Sequence, residues 1–116
     1  MYSYHALITK VIDGDTVSAT VDLGFDILHR INIRLYGINA PELHGATKEA
    51  GLKSKARLVE LIENKMVIIE SKSYNDEDKY GRSLAIIYKD NININDLLVK
   101  ENLAVPYLLD IPNLSL

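Results

Sequence analysis

A chain of 116 residues with 47% hydrophobic and 25% charged residues has the size and composition of one ordinary globular domain. No apolar run approaches the ~20 residues that a membrane-spanning helix requires, and the absence of cysteine excludes disulfides and thiolate metal sites. The net charge of -3 argues against a protein that holds nucleic acid through many phosphate contacts, because such proteins are usually basic. Any attraction for phosphate must be local, and we expect it around Arg34, Arg82 and Lys79.

The N-terminus carries no predicted signal peptide. Its first five residues are not basic, and no pure apolar stretch with a cleavage site follows them. We therefore expect a single domain over residues 1–116, a cytoplasmic location and no association with a membrane.

Apolar and polar residues alternate along the N-terminal part of the chain, which is typical of strands with one buried face. Gly14 lies between two aspartates and Gly24 lies two residues before Asp26, and both sequences favour turns. The predicted strands cover residues 4–12, 17–23 and 27–36. In the third strand Ile33 and Leu35 alternate with Arg34, so Arg34 is predicted to point away from the main core.

A helical pattern replaces this alternation after Pro41. Four apolar residues recur at spacings of three and four, and they predict a helix that begins at residue 49 or 50 and ends near residue 64. Thr47 is a candidate cap for its N-terminus. The predicted inward face consists of Leu52, Ala56, Val59 and Ile62.

Two more strands and a second helix complete the chain. The strands are predicted over 66–70 and 82–88, and Asn95 or Asn93 is expected to cap the helix. The order β-β-β-α-β-β-α fits an α+β, mainly β protein, namely a five-stranded barrel of the oligonucleotide/oligosaccharide-binding (OB) type with two helices.

The end of the third predicted strand is a candidate functional site. Gly37 permits an unusual backbone angle, and Pro41 disfavours both helix and sheet, so the chain must turn between them. The turn leaves the amide of Asn39 and the carboxylate of Glu42 near Arg34. An arginine, an amide oxygen and a carboxylate at a barrel rim indicate a site for a metal ion and a phosphate.

The segment IRLYGINAPE at 33–42 resembles the strand and loop of staphylococcal nuclease-like domains, whose typical form is R-L-x-G-I-D-A-P-E. Two further segments match that family in order and spacing: VIDGDTV at 11–17 and DKYGRSLA at 78–85. A fainter likeness continues to about Tyr107. The resemblance supports the OB-type barrel, and it places the core of the domain at 4–107.

The resemblance implies calcium-dependent hydrolysis of phosphodiester bonds. The positions of the calcium ligands are Asp15, Asn39 and Ala40, which offer carboxylate, amide and backbone oxygens. The two phosphate-binding arginines correspond to Arg34 and Arg82, whose planar guanidinium groups donate two hydrogen bonds at once.

The remaining roles implied by the resemblance concern the water and the substrate. Glu42 falls at the position of the general base. Lys79, Tyr80 and Tyr107 are expected to contact substrate, with the two rings stacking on a base. Packing at the barrel rim is an equal expectation for these rings. The three histidines show no ligand spacing and are expected to be ordinary surface or loop residues: His5, His29 and His44.

The sequence departs from the family at Asn39, where the family pattern has an aspartate. The amide keeps an oxygen ligand but removes a negative charge beside the metal, so weaker calcium binding is expected. Asp13 and Asp15 carry the charge that would compensate.

A second departure lies at the C-terminus. Family members usually have a third helix there, whereas only nine residues follow Tyr107. The apolar tail at 108–116 is expected to cover the surface that this helix would occupy, or to leave it to a protein partner or a second copy of the chain.

Two functions remain open from the sequence. The first is a nuclease that acts on DNA or RNA, preferably single-stranded, with little sequence specificity. The alternative is a barrel with weak or no catalysis that binds nucleic acid or a protein. Asn39 and the acidic net charge favour the binding module, whereas the intact set of Arg34, Glu42 and Arg82 favours the enzyme.

Overall fold

A computed structural model of the chain describes residues 2–72 and 82–107. The predicted apolar tail and the loop that contains Lys79 and Tyr80 lie outside these residues. A 3-10 turn at Gly45–Thr47 precedes the first helix. The elements are β1 (Ser3–Asp13), β2 (Thr16–Asp22), β3 (Leu28–Leu35), β4 (Ile38–Asn39), α1 (Lys48–Ile62), β5 (Met66–Ser71), β6 (Ser83–Lys89), β7 (Ile92–Asn93), α2 (Ile94–Lys100) and β8 (Val105–Pro106).

Five long strands form a closed barrel. Strand β1 pairs antiparallel with both β2 and β5, and these two pair antiparallel with β3 and β6. The barrel closes where β3 and β6 pair in parallel, from Ile33 opposite Ser83 to Leu35 opposite Ala85. Closure leaves these strands without free edges. The predicted five-stranded OB-type barrel with two helices, an α+β and mainly β fold, is confirmed.

The interior of the barrel consists of the inward side chains of the alternating strands. Alternation along the first predicted strand makes Ala6, Ile8, Val11 and Ile12 the candidates for its inward face. The first three are buried, whereas Ile12 is only partly buried. Burying one large aliphatic side chain contributes roughly 1.5–3 kcal/mol, so this cluster is the main source of stability. It also includes Val17, Ala19, Val21, Ile33, Leu35, Val67, Ile69, Ala85 and Ile87.

Helix α1 buries only part of the predicted face. Ile62 is buried and Val59 is partly buried as predicted, whereas Leu52 and Ala56 are exposed. The helix also buries Gly51, Ser54 and Leu58. A Cβ added at Gly51 would lie 2.4 Å from the carbonyl oxygen of Glu42, so the first turn of the helix approaches the loop after β4 too closely for a side chain. Small residues mark this contact, and apolar periodicity does not detect them.

Asparagines organise the second helix in two different ways. Asn93 caps α2, because its side chain accepts a hydrogen bond from the backbone N–H of Asp96 (3.0 Å). Asn95, the other predicted cap, is buried: its Nδ2 donates to the carbonyls of Tyr36 (2.9 Å) and Ala85 (3.2 Å), and its Oδ1 accepts from the N–H of Ile87 (3.1 Å). It therefore ties α2 to β6 and to the end of β3.

Thr47 does not cap α1. Its hydroxyl donates backwards to the carbonyls of Glu42 (3.0 Å) and His44 (3.3 Å), so it fixes the loop after β4 instead. Within the described residues, no helix is long and apolar enough to cross a membrane.

Replacing Asn95 with alanine should lower the free energy of unfolding by about 2–4 kcal/mol, since buried backbone groups that lose their partner each cost about 1–3 kcal/mol. Urea denaturation measures this loss. The matched control is Asn93→Ala, which removes only a helix cap and should cost about 1 kcal/mol. Equal losses in the two variants would contradict the bridging role of Asn95.

Candidate active site

The turn between β1 and β2 places the side chain of Asp15 inside the protein, where it is only 8% exposed. One carboxylate oxygen accepts a hydrogen bond from the Thr16 hydroxyl (3.1 Å), and the other accepts from the backbone N–H of Ala40 (2.8 Å). The carbonyl of Asp15 accepts from the N–H of Leu35 (2.8 Å). The turn is thus fastened both to the end of β3 and to the loop after β4.

Gly14 allows this turn to lie so deep. A Cβ at this position would lie 2.7 Å from the Cβ of Ser54 on α1 and 2.8 Å from the Cβ of Ala40. Both distances are shorter than real contacts allow, so any larger residue would push the turn away from the helix and from Ala40. The glycine of the Asp-Gly-Asp sequence is therefore required by packing.

Asp15 is electrostatically costly in this position. Burial, the largest cause, and the side chain of Asp13 together raise the pKa of Asp15 from 3.8 to about 6. The Ala40 N–H and the guanidinium of Arg34 act in the opposite direction and lower the pKa of Asp15. A cation next to this carboxylate would offset the cost of its charged form.

Arg34 points away from the main core, as predicted, yet it is only 6% exposed. Its Nη1 donates to the carbonyl of Leu35 (3.1 Å) and its Nη2 donates to the carbonyl of Ile38 (2.9 Å). Nη2 also lies 3.4 Å from Oδ1 of Asn39. Asn39 thus directs its oxygen towards the arginine.

Tyr107 covers the other side of the same arginine. The guanidinium carbon of Arg34 lies 4.8 Å from the centre of the Tyr107 ring, which is a cation–π contact. The N–H of Tyr107 donates to the carbonyl of Gly37 (2.8 Å), a residue with a φ of 80° as its place in the turn predicts. Strand β8, paired with β4, holds the ring in place.

Thr16 links the second arginine to this group. Nη1 of Arg82 donates to the Thr16 hydroxyl (3.2 Å), and the same hydroxyl donates to Asp15. Thr16 also lies opposite Arg34 in the pairing of β2 with β3. Asp15, Thr16, Arg34 and Arg82 therefore form one contiguous cluster. Thr16 was not predicted as a site residue from the sequence. Its position directly after Asp15 could have indicated that it belongs to the site.

Glu42 lies in the loop after β4 with a side chain that is 73% exposed. Its Oε2 is 3.0 Å from Nε2 of His44, a histidine for which the sequence predicted no role. Glu42 follows Ala40 by two residues, and its backbone is fixed by Thr47 and by the contact with Gly51. The loop is therefore rigid at its backbone, while the carboxylate faces solvent.

The cluster contains oxygen atoms of the kind that a hard divalent cation binds. The Asp15 carboxylate is contacted by the backbone N–H of Ala40, and Asn39 precedes Ala40 in the chain with an amide oxygen that faces Arg34. Among residues 2–72 and 82–107, no group of three or more His, Asp or Glu side chains is placed to hold a metal. A cation here would consequently have a mixed ligand set with little negative charge.

Comparison with known proteins gives a match to a sequence family. Residues 32–114 match the family described as staphylococcal nuclease homologues. The match includes Arg34, Asn39, Glu42 and Arg82, which the motifs had singled out.

Individual relatives are similar at about one residue in three. An uncharacterized protein of Methanocaldococcus jannaschii is 33% identical over 90% of this chain and 60% of its own length. An uncharacterized endonuclease of Haemophilus influenzae is 34% identical over 86% of this chain and 51% of its own length. A prophage-derived endonuclease of Bacillus subtilis, YokF, is 30% identical over 82% of this chain and 31% of its own length. The chain thus spans less than two thirds of each of these relatives.

The cost of burying Asp15 should be visible as a pH dependence of stability. The folded protein holds the Asp15 proton more tightly than the unfolded chain, so the contribution of Asp15 to stability falls as the pH rises from about 4 to about 6. Above pH 6 the ionised side chain is a net cost, on the order of 1–3 kcal/mol. In the presence of chelator, Asp15→Asn should therefore raise the free energy of unfolding at pH 7.5 and remove this part of the pH dependence.

Urea denaturation between pH 4.5 and 7.5 measures the effect. Asp22→Asn, which removes the same charge from an exposed position, is the control and should be nearly neutral. A loss of stability in Asp15→Asn at pH 7.5 would contradict the electrostatic cost assigned to Asp15.

Proposed function

The chain belongs to the family of staphylococcal nuclease homologues, and we propose that it is a metal-dependent nuclease that hydrolyses phosphodiester bonds of DNA or RNA. The observation that carries the proposal is the contiguous cluster of Asp15, Thr16, Arg34 and Arg82 at one end of the barrel, next to the loop of Glu42. We propose calcium as the cation, single strands as the preferred substrate and little sequence specificity.

The cation would be held by the carboxylate of Asp15, the amide oxygen of Asn39 and the backbone of Ala40. When bound, it would act as a Lewis acid that polarises a phosphoryl oxygen. It would also neutralise the ionised form of Asp15, whose charge the protein alone accommodates poorly.

The two arginines would bind the phosphate from adjacent strands. Parallel pairing of β3 with β6 places Arg34 on one strand and Arg82 directly before the other, and Thr16 fixes the Arg82 side chain. Guanidinium groups in a partly dehydrated site stabilise the additional negative charge that develops on the phosphoryl oxygens as water attacks. The Tyr107 ring would hold the guanidinium of Arg34 in a fixed orientation through their cation–π contact.

Glu42 would serve the attacking water. Its carboxylate would accept a proton while the water oxygen forms a bond to phosphorus and the bond from phosphorus to the leaving oxygen breaks. The exposed side chain can reach a water molecule at the surface, and its backbone is held by Thr47. His44 is positioned to restrain the carboxylate through its contact with Oε2.

The position of the cluster supports the proposed preference for flexible strands. It lies at strand ends and in the loop after β4, on the rim of a closed barrel. A phosphate at a rim is reached more easily by a single strand, which can bend, than by stacked duplex. Two of the relatives carry the word endonuclease in their names, which supports the nuclease class.

A second function, binding without turnover, is favoured by the burial of Arg34. The guanidinium donates to the carbonyls of Leu35 and Ile38 and is covered by Tyr107, so part of its hydrogen-bonding capacity serves the fold. A barrel that used Arg34 in this way would bind nucleic acid or a protein weakly and cleave little.

The assay that separates these functions compares Glu42→Gln with the unmodified protein on a single-stranded oligonucleotide, with calcium and with chelator. The nuclease should cleave only with calcium, and Glu42→Gln should lower kcat about 100- to 10,000-fold, since positioned bases contribute factors of this size. Glu49→Gln is the matched control, because it removes an exposed carboxylate from the first turn of α1 and should retain activity. If the unmodified protein with calcium cleaved no faster than Glu42→Gln, the proposed nuclease function would be contradicted. Binding without turnover would then be the remaining function.

Asn39→Asp should raise the affinity for calcium, because it adds a negative charge at a ligand position. At an effective dielectric near 20 such a charge contributes on the order of several kcal/mol before solvation costs, so an increase of roughly tenfold or more should remain. The gain is limited because the new carboxylate would also face Arg34 at 3.4 Å. Calcium titration by calorimetry measures the change.

Asn64→Asp provides the control for charge alone. Asn64 lies just beyond the C-terminal end of α1 and has a φ of 60°, a conformation that aspartate also adopts. Unchanged calcium affinity in Asn39→Asp, or equal gains in both variants, would mean that Asn39 is not a ligand.

A further inference from the structure

The outer face of the β2–β3 pair extends the polar surface away from the active site. Residues two apart on a strand point to the same face, so Arg30 and Asn32 share the face of Arg34. Their partners on β2 are polar in every case. The pairs are Thr16 with Arg34, Ser18 with Asn32, and Thr20 with Arg30.

Strand β1 adds a lysine to this face. Lys10 lies opposite Ser18 in the pairing of β1 with β2, and the Ser18 hydroxyl donates to Oδ1 of Asn32 (2.8 Å). Together with Arg30 and Thr9, these residues border a concavity of about 520 Å³. We use the name basic track for Lys10, Ser18, Arg30 and Asn32.

The charge of the basic track is not neutralised by the described part of the chain. No ion pair involves Lys10 or Arg30 within residues 2–72 and 82–107, and no acidic residue lines the concavity. Arg57 shows the contrast, since it pairs with both Glu60 and Glu101. The carboxylate of Glu63 accepts a hydrogen bond from the backbone N–H of Val11, next to Lys10, but it forms no ion pair with Lys10. In a chain of net charge -3, two exposed cations that pair with no described carboxylate form a local positive surface.

We propose that the basic track binds the backbone phosphates of a single nucleic-acid strand that runs outwards from the active site. This proposal rests on the proposed function, because Arg34 provides the point at which the strand begins. Arg30 and Arg34 are four residues apart on β3, or about 13 Å at roughly 3.3 Å per residue. That length corresponds to up to about four nucleotides at the ~3.4 Å spacing of a stacked strand.

The chemistry of the track favours backbone contacts over base readout. Lys10 and Arg30 supply positive charge, and the amide of Asn32 supplies hydrogen-bond donors, which suit phosphate oxygens. The residues named on the track include no aromatic ring on which a base could stack. Binding along it is therefore independent of sequence and sensitive to salt.

The test compares oligothymidylates of three and twelve nucleotides in chelator, so that binding is measured without cleavage. The double variant Lys10→Gln, Arg30→Gln should weaken binding of the 12-mer at least tenfold while it changes binding of the 3-mer less than twofold. Because each phosphate contact contributes about 0.7 to the dependence of log K on log salt, the slope for the 12-mer should fall by roughly 1.4. Fluorescence anisotropy provides both quantities.

The control is Lys53→Gln, Lys100→Gln, which removes the same charge from exposed positions on α1 and α2 and should leave both affinities unchanged. Equal effects of the two double variants would overturn the basic track, since charge alone would then explain the result. Equal affinity of the unmodified protein for both lengths, or an unchanged salt slope, would also overturn it.

Cleavage of the same oligonucleotides with calcium tests the basic track and the proposed nuclease function separately. A protein that binds the 12-mer through Lys10 and Arg30 but cleaves neither length supports the basic track and contradicts the nuclease. A protein that cleaves both lengths with equal kcat/KM, in the unmodified form and in the Lys10→Gln, Arg30→Gln variant, supports the nuclease and contradicts the track. Absence of any binding overturns both.

Discussion

The hydrogen bond from the backbone N–H of Ala40 to the carboxylate of Asp15 is the interaction on which the candidate site depends. It joins two segments that are 25 residues apart in the chain, and it holds the β1–β2 turn against the loop after β4. Asp15 must be buried to make it, and burial raises the pKa of its side chain. Gly14 makes the approach sterically possible. A carboxylate that stays buried despite this electrostatic cost is typical of a site that binds a positively charged ligand.

Arg34 connects the architecture of the barrel rim to the candidate chemistry. Its guanidinium donates to two backbone carbonyls at the end of β3 and contacts the ring of Tyr107. The C-terminal part of the domain, through β8, therefore holds a side chain that lies on an N-terminal strand. Orienting an arginine through its fixed hydrogen bonds reduces the entropy that it would lose on binding a phosphate. The same bonds reduce the donors that it offers, so affinity and rigidity are opposed at this residue.

The strands and the motif residues were predictable from the sequence, whereas their contacts were not. Alternation identified the inward residues of β1 and β3 because a barrel has one buried face per strand. The inward face of α1 was predicted only in part. Ile62 is buried as predicted, but Gly51 and Ser54 pack on that face in place of Leu52 and Ala56, because close backbone contact has no apolar signature. The contact between Glu42 and His44 is likewise a loop geometry that spacing does not encode.

The acidic net charge and the candidate nucleic-acid surface are compatible because the charges are distributed unevenly. Arg57 is neutralised by two glutamates on the helical side of the molecule. Lys10 and Arg30 lie on the strand face that leads to the candidate active site, and no described acidic side chain pairs with either of them. At physiological salt charges are screened within about 8 Å, so an approaching phosphate responds to the local surface and only weakly to the distant carboxylates. The net charge therefore limits how many phosphates the candidate surface can bind. The register of β2 and β3 determines where on the barrel those contacts lie.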